Sequence, residues 1–91
     1  MGKRHVIDLA FKLPADGTDS WKEVWHQGNE AIDALTDEFG GVGESAGTGF
    51  GCRDMQIVFR SRNKAKSFRK ALTTRLTNLE FEYVSYYNEQ E

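Results

Sequence analysis

The chain has 91 residues, a net charge of −2 and a single cysteine, Cys52. At that length the hydrophobic residues form one core and not two, so the chain reads as one domain spanning 1–91. Apolar residues make up 38% of it, too many for a disordered chain, and the mild acidity excludes the strongly basic balance of a dedicated nucleic-acid binder. One cysteine excludes an internal disulfide and suits a reducing compartment. The residues after Met1 lack the apolar stretch of a signal peptide. Gly2 is followed by Lys3 and Arg4 rather than by a myristoylation pattern. No run approaches the roughly 18 apolar residues of a membrane span, so a cytoplasmic protein is expected.

From His5 to Leu13 the residues alternate. His5, Ile7, Leu9, Phe11 and Leu13 share one side, and Val6, Asp8, Ala10 and Lys12 the other, which predicts a strand. Pro14, Ala15, Asp16 and Gly17 break it. Ser20-Trp21-Lys22-Glu23 has the pattern of a capping box at a helix start. Trp21, Val24, Trp25, Gly28, Ala31, Ile32, Leu35 and Phe39 then recur at steps of three and four, as on an amphipathic helix. Gly28 lies on that stripe and predicts a close approach by another element. Gly40-Gly41 is a helix stop.

Glycine concentrates between residues 40 and 51, which predicts a twisted, locally bulged hairpin strand. From Cys52 to Arg60 alternation returns. Met55, Ile57 and Phe59 face one way, and Asp54, Gln56, Val58 and Arg60 the other. Asn63 is the expected cap of a second helix with the stripe Ala65, Phe68, Leu72, Leu76 and Leu79. Glu80 to Asn88 is aromatic and β-branched and predicts a closing strand. The order β-α-β-β-α-β predicts an α+β fold: a ferredoxin-like two-layer sandwich with an antiparallel four-stranded sheet, both helices on one face and strand order 4-1-3-2.

No motif carries a reaction. Gly43-Glu44-Ser45-Ala46-Gly47 spells a nucleophile elbow, but a helix precedes it, a strand follows it, and no histidine comes after His26. Gly41 to Ala46 spells a dinucleotide fingerprint, yet it opens no helix. Residues 43 to 51 are read as a hairpin rather than a phosphate cradle. His5, His26 and Cys52 share no ligand spacing. Asp8 and Asp54 fall on the sheet face away from the helices. There, ion pairs with Lys12 and Arg60 are a simpler account of them than acid–base work. The chain is therefore expected to be non-enzymatic, with no cofactor and no metal.

Charge is distributed unevenly. Eight of the twelve basic residues lie between 53 and 75, and eight acids lie between 15 and 51. The two helices are thus opposite in sign, which either draws them together or steers a charged partner. With Phe81 and Tyr83 taken as core, Val84 and Tyr86 join Val6, Ala10 and Val58 on the open sheet face. The expected partner surface is Val84, Tyr86, Tyr87, Val58 and Gln56, with Lys66 and Arg69 on the basic helix.

The function expected from these features is a protein-binding module: an inhibitor, immunity or anti-defence protein, or a homodimer paired through its sheet. One alternative is nucleic-acid binding on an RRM-like topology through the basic helix, although the open-face residues of the third strand, Asp54, Gln56, Val58 and Arg60, include no aromatic. Another is a small dimeric ligand-binding or enzyme domain.

Overall fold

The computed structural model describes residues 3–15, 17–49 and 51–90, the last without its side chain. Gly2, Asp16 of the expected chain break and Phe50 of the glycine-rich stretch lie outside the described residues. Period-two and period-3.6 patterning resolve into β1 (Lys3–Lys12), α1 (Ser20–Glu38), β2 (Val42–Gly49), β3 (Cys52–Phe59), α2 (Arg62–Arg75) and β4 (Phe81–Gln90). The strands form one antiparallel sheet in the order β2-β3-β1-β4. This is a ferredoxin-like α+β two-layer fold with the two most apolar strands in the centre.

The core lies between one sheet face and both helices. Ile7, Leu9 and Phe11 of β1 and Met55, Ile57 and Phe59 of β3 meet Ile32 and Leu35 of α1 and Phe68 and Leu72 of α2. Burying these branched and aromatic side chains is the main favourable term in folding, each contributing roughly 1.5–3 kcal/mol. Gly28 sits where a side chain does not fit: a Cβ there would stand 2.5 Å from Cζ of the fully buried Phe11.

The helix ends differ from expectation in three places. One is the end of α2, which stops at Arg75 with Leu76 as its C-cap, so that Leu79 of the expected stripe lies beyond the helix. Ser20 is the first residue of α1 rather than its cap, and Asp19 caps without a side-chain bond. The Thr18 hydroxyl accepts from the Ser20 backbone N–H at 3.2 Å, so the chain enters the helix one residue early. Glu23 does not reach back as a capping box would, but accepts from Gln27 Nε2 at 3.2 Å. In α2 the cap is Ser61, whose hydroxyl accepts from Lys64 N at 3.3 Å, and Asn63 lies inside the helix. The stop of α1 is as the glycines predict. Gly40 takes φ 73°, its N–H bonds to the Asp37 carbonyl at 3.2 Å, and Gly41 N–H bonds to Thr36 at 2.9 Å. Together these make a Schellman motif. Opposite helix charges do meet: Arg75 of α2 donates two bonds, at 2.7 and 3.0 Å, to the Glu38 carboxylate of α1, which lowers the pKa of Glu38.

The last strand corrects the expected phase. Along β1 and β4, Ile7 lies opposite Tyr86, Leu9 opposite Val84 and Ala10 opposite Tyr83, and the register slips between Ala10 and Phe11. Val84 and Tyr86 therefore pack against the core on the helix side, as does Phe81. Tyr83, Ser85 and Tyr87 take the open face. A bulge inserts one extra residue after Phe81, and a one-residue slip moves every following side chain to the other face.

Candidate binding face

The face of the sheet without helices carries Arg4, Val6, Asp8, Ala10 and Lys12 from β1 and Asp54, Gln56 and Val58 from β3, flanked by Tyr83 and Tyr87 on β4 and Val42 on β2. Val6 and Ala10 are nonetheless only 1% and 3% exposed. Tyr87 stands opposite Val6, and its hydroxyl lies 3.5 Å from Gln56 Nε2 on β3, so its ring crosses β1 over Val6. Gln56 Oε1 in turn accepts from Ser45 Oγ of β2 at 3.0 Å. A polar chain thus runs from one edge strand to the other. Arg4 of β1 and Glu44 of β2 form a separate ion pair.

Two carboxylates occupy the middle of this face. Asp8 pairs with Gln56, and Asp54 with Ala10 two positions along, so they are diagonal neighbours on adjacent strands. The ion pairs expected for them with Lys12 are not formed. Lys12 turns instead to Glu80 and Glu82, at 3.4 and 3.7 Å, because Glu82 stands beside it in the bulged part of β4. Partial burial, and secondarily the charge of Asp54, raise the pKa of Asp8 above the ordinary carboxylate range. Burial also raises that of Tyr83, helped by Asp8 and Asp54.

A raised carboxylate adds stability that is fully present below its unfolded pKa and is lost as pH rises through the folded value. Asp8→Asn should therefore raise Tm at about pH 7, with the difference closing towards about pH 3, where Asp8 is protonated in both states. Thermal melts across that range check this; an Asn variant less stable at neutral pH would contradict it.

The other predicted residues are placed as follows. Val58 and Gln56 are half-buried on the open face, Tyr87 is exposed there, and Lys66 and Arg69 are exposed on α2. Tyr86 has a structural partner on the helix side. Its hydroxyl is 2.8 Å from Nδ1 of the buried His5, and the Lys66 ammonium lies 5.8 Å from its ring. Tyr86→Phe would leave that imidazole nitrogen without its partner and should cost about 1–2 kcal/mol. Chemical denaturation measures it, and a neutral result would mean that water replaces the hydroxyl.

The candidate metal ligands are dispersed. His5 pairs with Phe59 at one end of β3, and Cys52 begins the other end, roughly 23 Å away at strand rise. His26 is exposed, edge-on to Trp25. Among the described residues no three His, Cys, Asp or Glu side chains gather to hold a metal ion. Ser45 lies within the extended strand β2, and no strand-to-helix turn forms there. Among the described residues no helix is long and apolar enough to cross a membrane.

Sequence reasoning missed Tyr83, and it also missed a small lock on the helix side. There Arg53 lies 4.9 Å over the Trp25 ring and donates to Asn29 Oδ1 at 3.0 Å and to Thr48 Oγ1 at 3.1 Å, while Trp25 Nε1 donates to the same Thr48 hydroxyl at 2.9 Å. The parity of Arg53 with Met55 and Ile57 was the available signal for a helix-facing arginine.

Compared with known proteins, the chain matches no family model, and no curated sequence aligns with it significantly.

Proposed function

We propose that this protein is a small, non-enzymatic, cytoplasmic binding module whose partner is another protein, docked on the open sheet face through cationic side chains. The observation that carries this reading is the Asp8–Asp54 pair at the centre of a face bordered by Tyr83 and Tyr87, which are 43% and 39% exposed. A lysine or arginine placed between the carboxylates would relieve the repulsion by Asp54 that adds to burial in raising the pKa of Asp8. Its stem or guanidinium plane would lie on the tyrosine rings. Val42, 68% exposed, adds apolar contact at the β2 edge. On this reading the protein is of the inhibitor, immunity or anti-defence kind and occupies a partner's basic surface. The lone thiol of Cys52 suits the reducing cytoplasm.

Nucleic-acid binding is the second reading, favoured by the exposed Lys64, Lys66, Arg69 and Lys70 on α2. It is confined to that helix, because Asp8 and Asp54 would repel phosphate from the face that an RRM uses.

Affinity capture from source lysate, with wild type and an Asp54→Lys, Tyr83→Ala double variant as parallel baits, tests the proposal. The expected result is one stoichiometric protein retained by wild type and lost from the variant, with both baits folded by circular dichroism. Equal capture by both baits, or retention of nuclease-sensitive material alone, would overturn it.

A further inference from the structure

The second exposed feature is the free edge of β4. From Tyr83 to Glu89 its register with β1 is regular, and Tyr83 to Asn88 contains no charge, glycine or proline. Edge strands usually carry such protection, because a bare row of backbone N–H and C=O groups pairs with any extended chain. On β4 the bulge at Glu82 precedes this run, whereas the opposite edge, β2, is interrupted within the strand by a register slip between Gly43 and Ser45, with further glycines at 47 and 49.

Beside the β4 edge runs a shallow groove lined by Lys66, Arg69, Lys70 and Thr73 of α2 and by Phe81, Tyr83 and Val84 of β4. It touches helix-side residues (Phe81, Val84) and an open-face residue (Tyr83) alike, so it follows the strand's backbone edge. Its charged rim is wholly cationic, and among the described residues Arg69 and Lys70 have no acidic partner.

We propose that this edge accepts an extended acidic segment of a partner protein as a fifth strand, its carboxylates on the helix side against Lys66, Arg69 and Lys70. The spacing fits. Lys66 and Lys70 are one helical step of four apart, about 6 Å along the axis. Alternate residues on a strand, which share a face, are about 6.6 Å apart. An added strand with an acid at every second position therefore brings successive carboxylates to successive cations, while its backbone completes the β4 ladder. A second copy of this chain is disfavoured at the same edge, because a two-fold pairing of β4 strands would bring both cationic rims of α2 together. The site shares Tyr83 with the open face but none of its carboxylates, so either can fail alone.

The probe is a short, capped, fluorescent peptide alternating Glu and Val, titrated against the full chain, with amide hydrogen exchange and sedimentation on the same samples. We expect saturable binding that weakens with salt, new protection confined to residues 83–88, and about tenfold or greater weakening by Lys66→Glu with Lys70→Glu. Asp54→Lys should leave this binding in place. Absence of saturable binding, insensitivity to the charge reversal, or protection elsewhere overturns the proposal. So does protection of 83–88 by dimerisation of the chain alone, or an oligouridine that displaces the peptide without protecting β4.

Discussion

Phe68→Ala should lower stability by about 3–5 kcal/mol, enough to bring a domain of this size close to its unfolding threshold at room temperature. Phe68 is fully buried on α2. Its ring lies 4.9 Å from that of Phe59 on β3 and 6.3 Å, edge-on, from that of Phe39 at the end of α1. One side chain thus ties the second helix to the sheet and to the first helix. Removing it takes away apolar burial and leaves a hole that rigid neighbours on three elements fill poorly. A fall in Tm of about 15 °C or more is expected in thermal circular dichroism. Phe68→Leu should keep most of the stability, within about 1.5 kcal/mol of wild type. A Phe68→Ala loss below about 1 kcal/mol would show that the ring is not packed as described.

Gly28→Ala reverses the usual sign of a helix substitution. In an exposed helix interior alanine is favoured over glycine by about 1 kcal/mol. In α1 the new Cβ would stand 2.5 Å from Cζ and 2.7 Å from Cε2 of Phe11, on the middle strand β1. Phe11 is fully buried and has no solvent to swing into, so the helix must lift from the sheet or the ring must leave its rotamer. A net loss of about 1–3 kcal/mol is expected. Denaturant unfolding of Gly28→Ala, Phe11→Leu and the double variant measures the coupling. The double variant should be more stable than the sum of the single losses implies. A Gly28→Ala protein that melts higher than wild type would contradict the contact.

Much of this was legible beforehand because it depends on short-range periodicity. His5 to Phe11 and Met55 to Phe59 alternate strongly enough to name both central strands and the faces of their side chains. Gly28 on an apolar stripe announced a close approach, and Gly40-Gly41 announced a Schellman stop, because each needs what only glycine tolerates. The helix starts were less legible. Ser20 and Asn63 have the right chemistry, but Thr18 and Ser61 reached the free N–H groups first, a competition decided by local geometry among several suitable hydroxyls and carboxylates.

The sequence alone determined the element order, the ferredoxin-like topology, the apolar layer and the central pair Asp8 and Asp54, since all follow from alternation and helical spacing. Tertiary structure alone decided which aromatic residues the open face shows. Phe81 to Asn88 alternates equally well in either phase, and the bulge opposite Ala10 and Phe11 sends Val84 and Tyr86 inward and Tyr83 and Tyr87 outward. It also decided that Lys12 pairs with Glu80 and Glu82, leaving Asp8 beside Asp54. A bulge is a property of two paired strands, and an ion pair depends on which side chains the pairing brings within reach, so neither is written in the pattern of one strand.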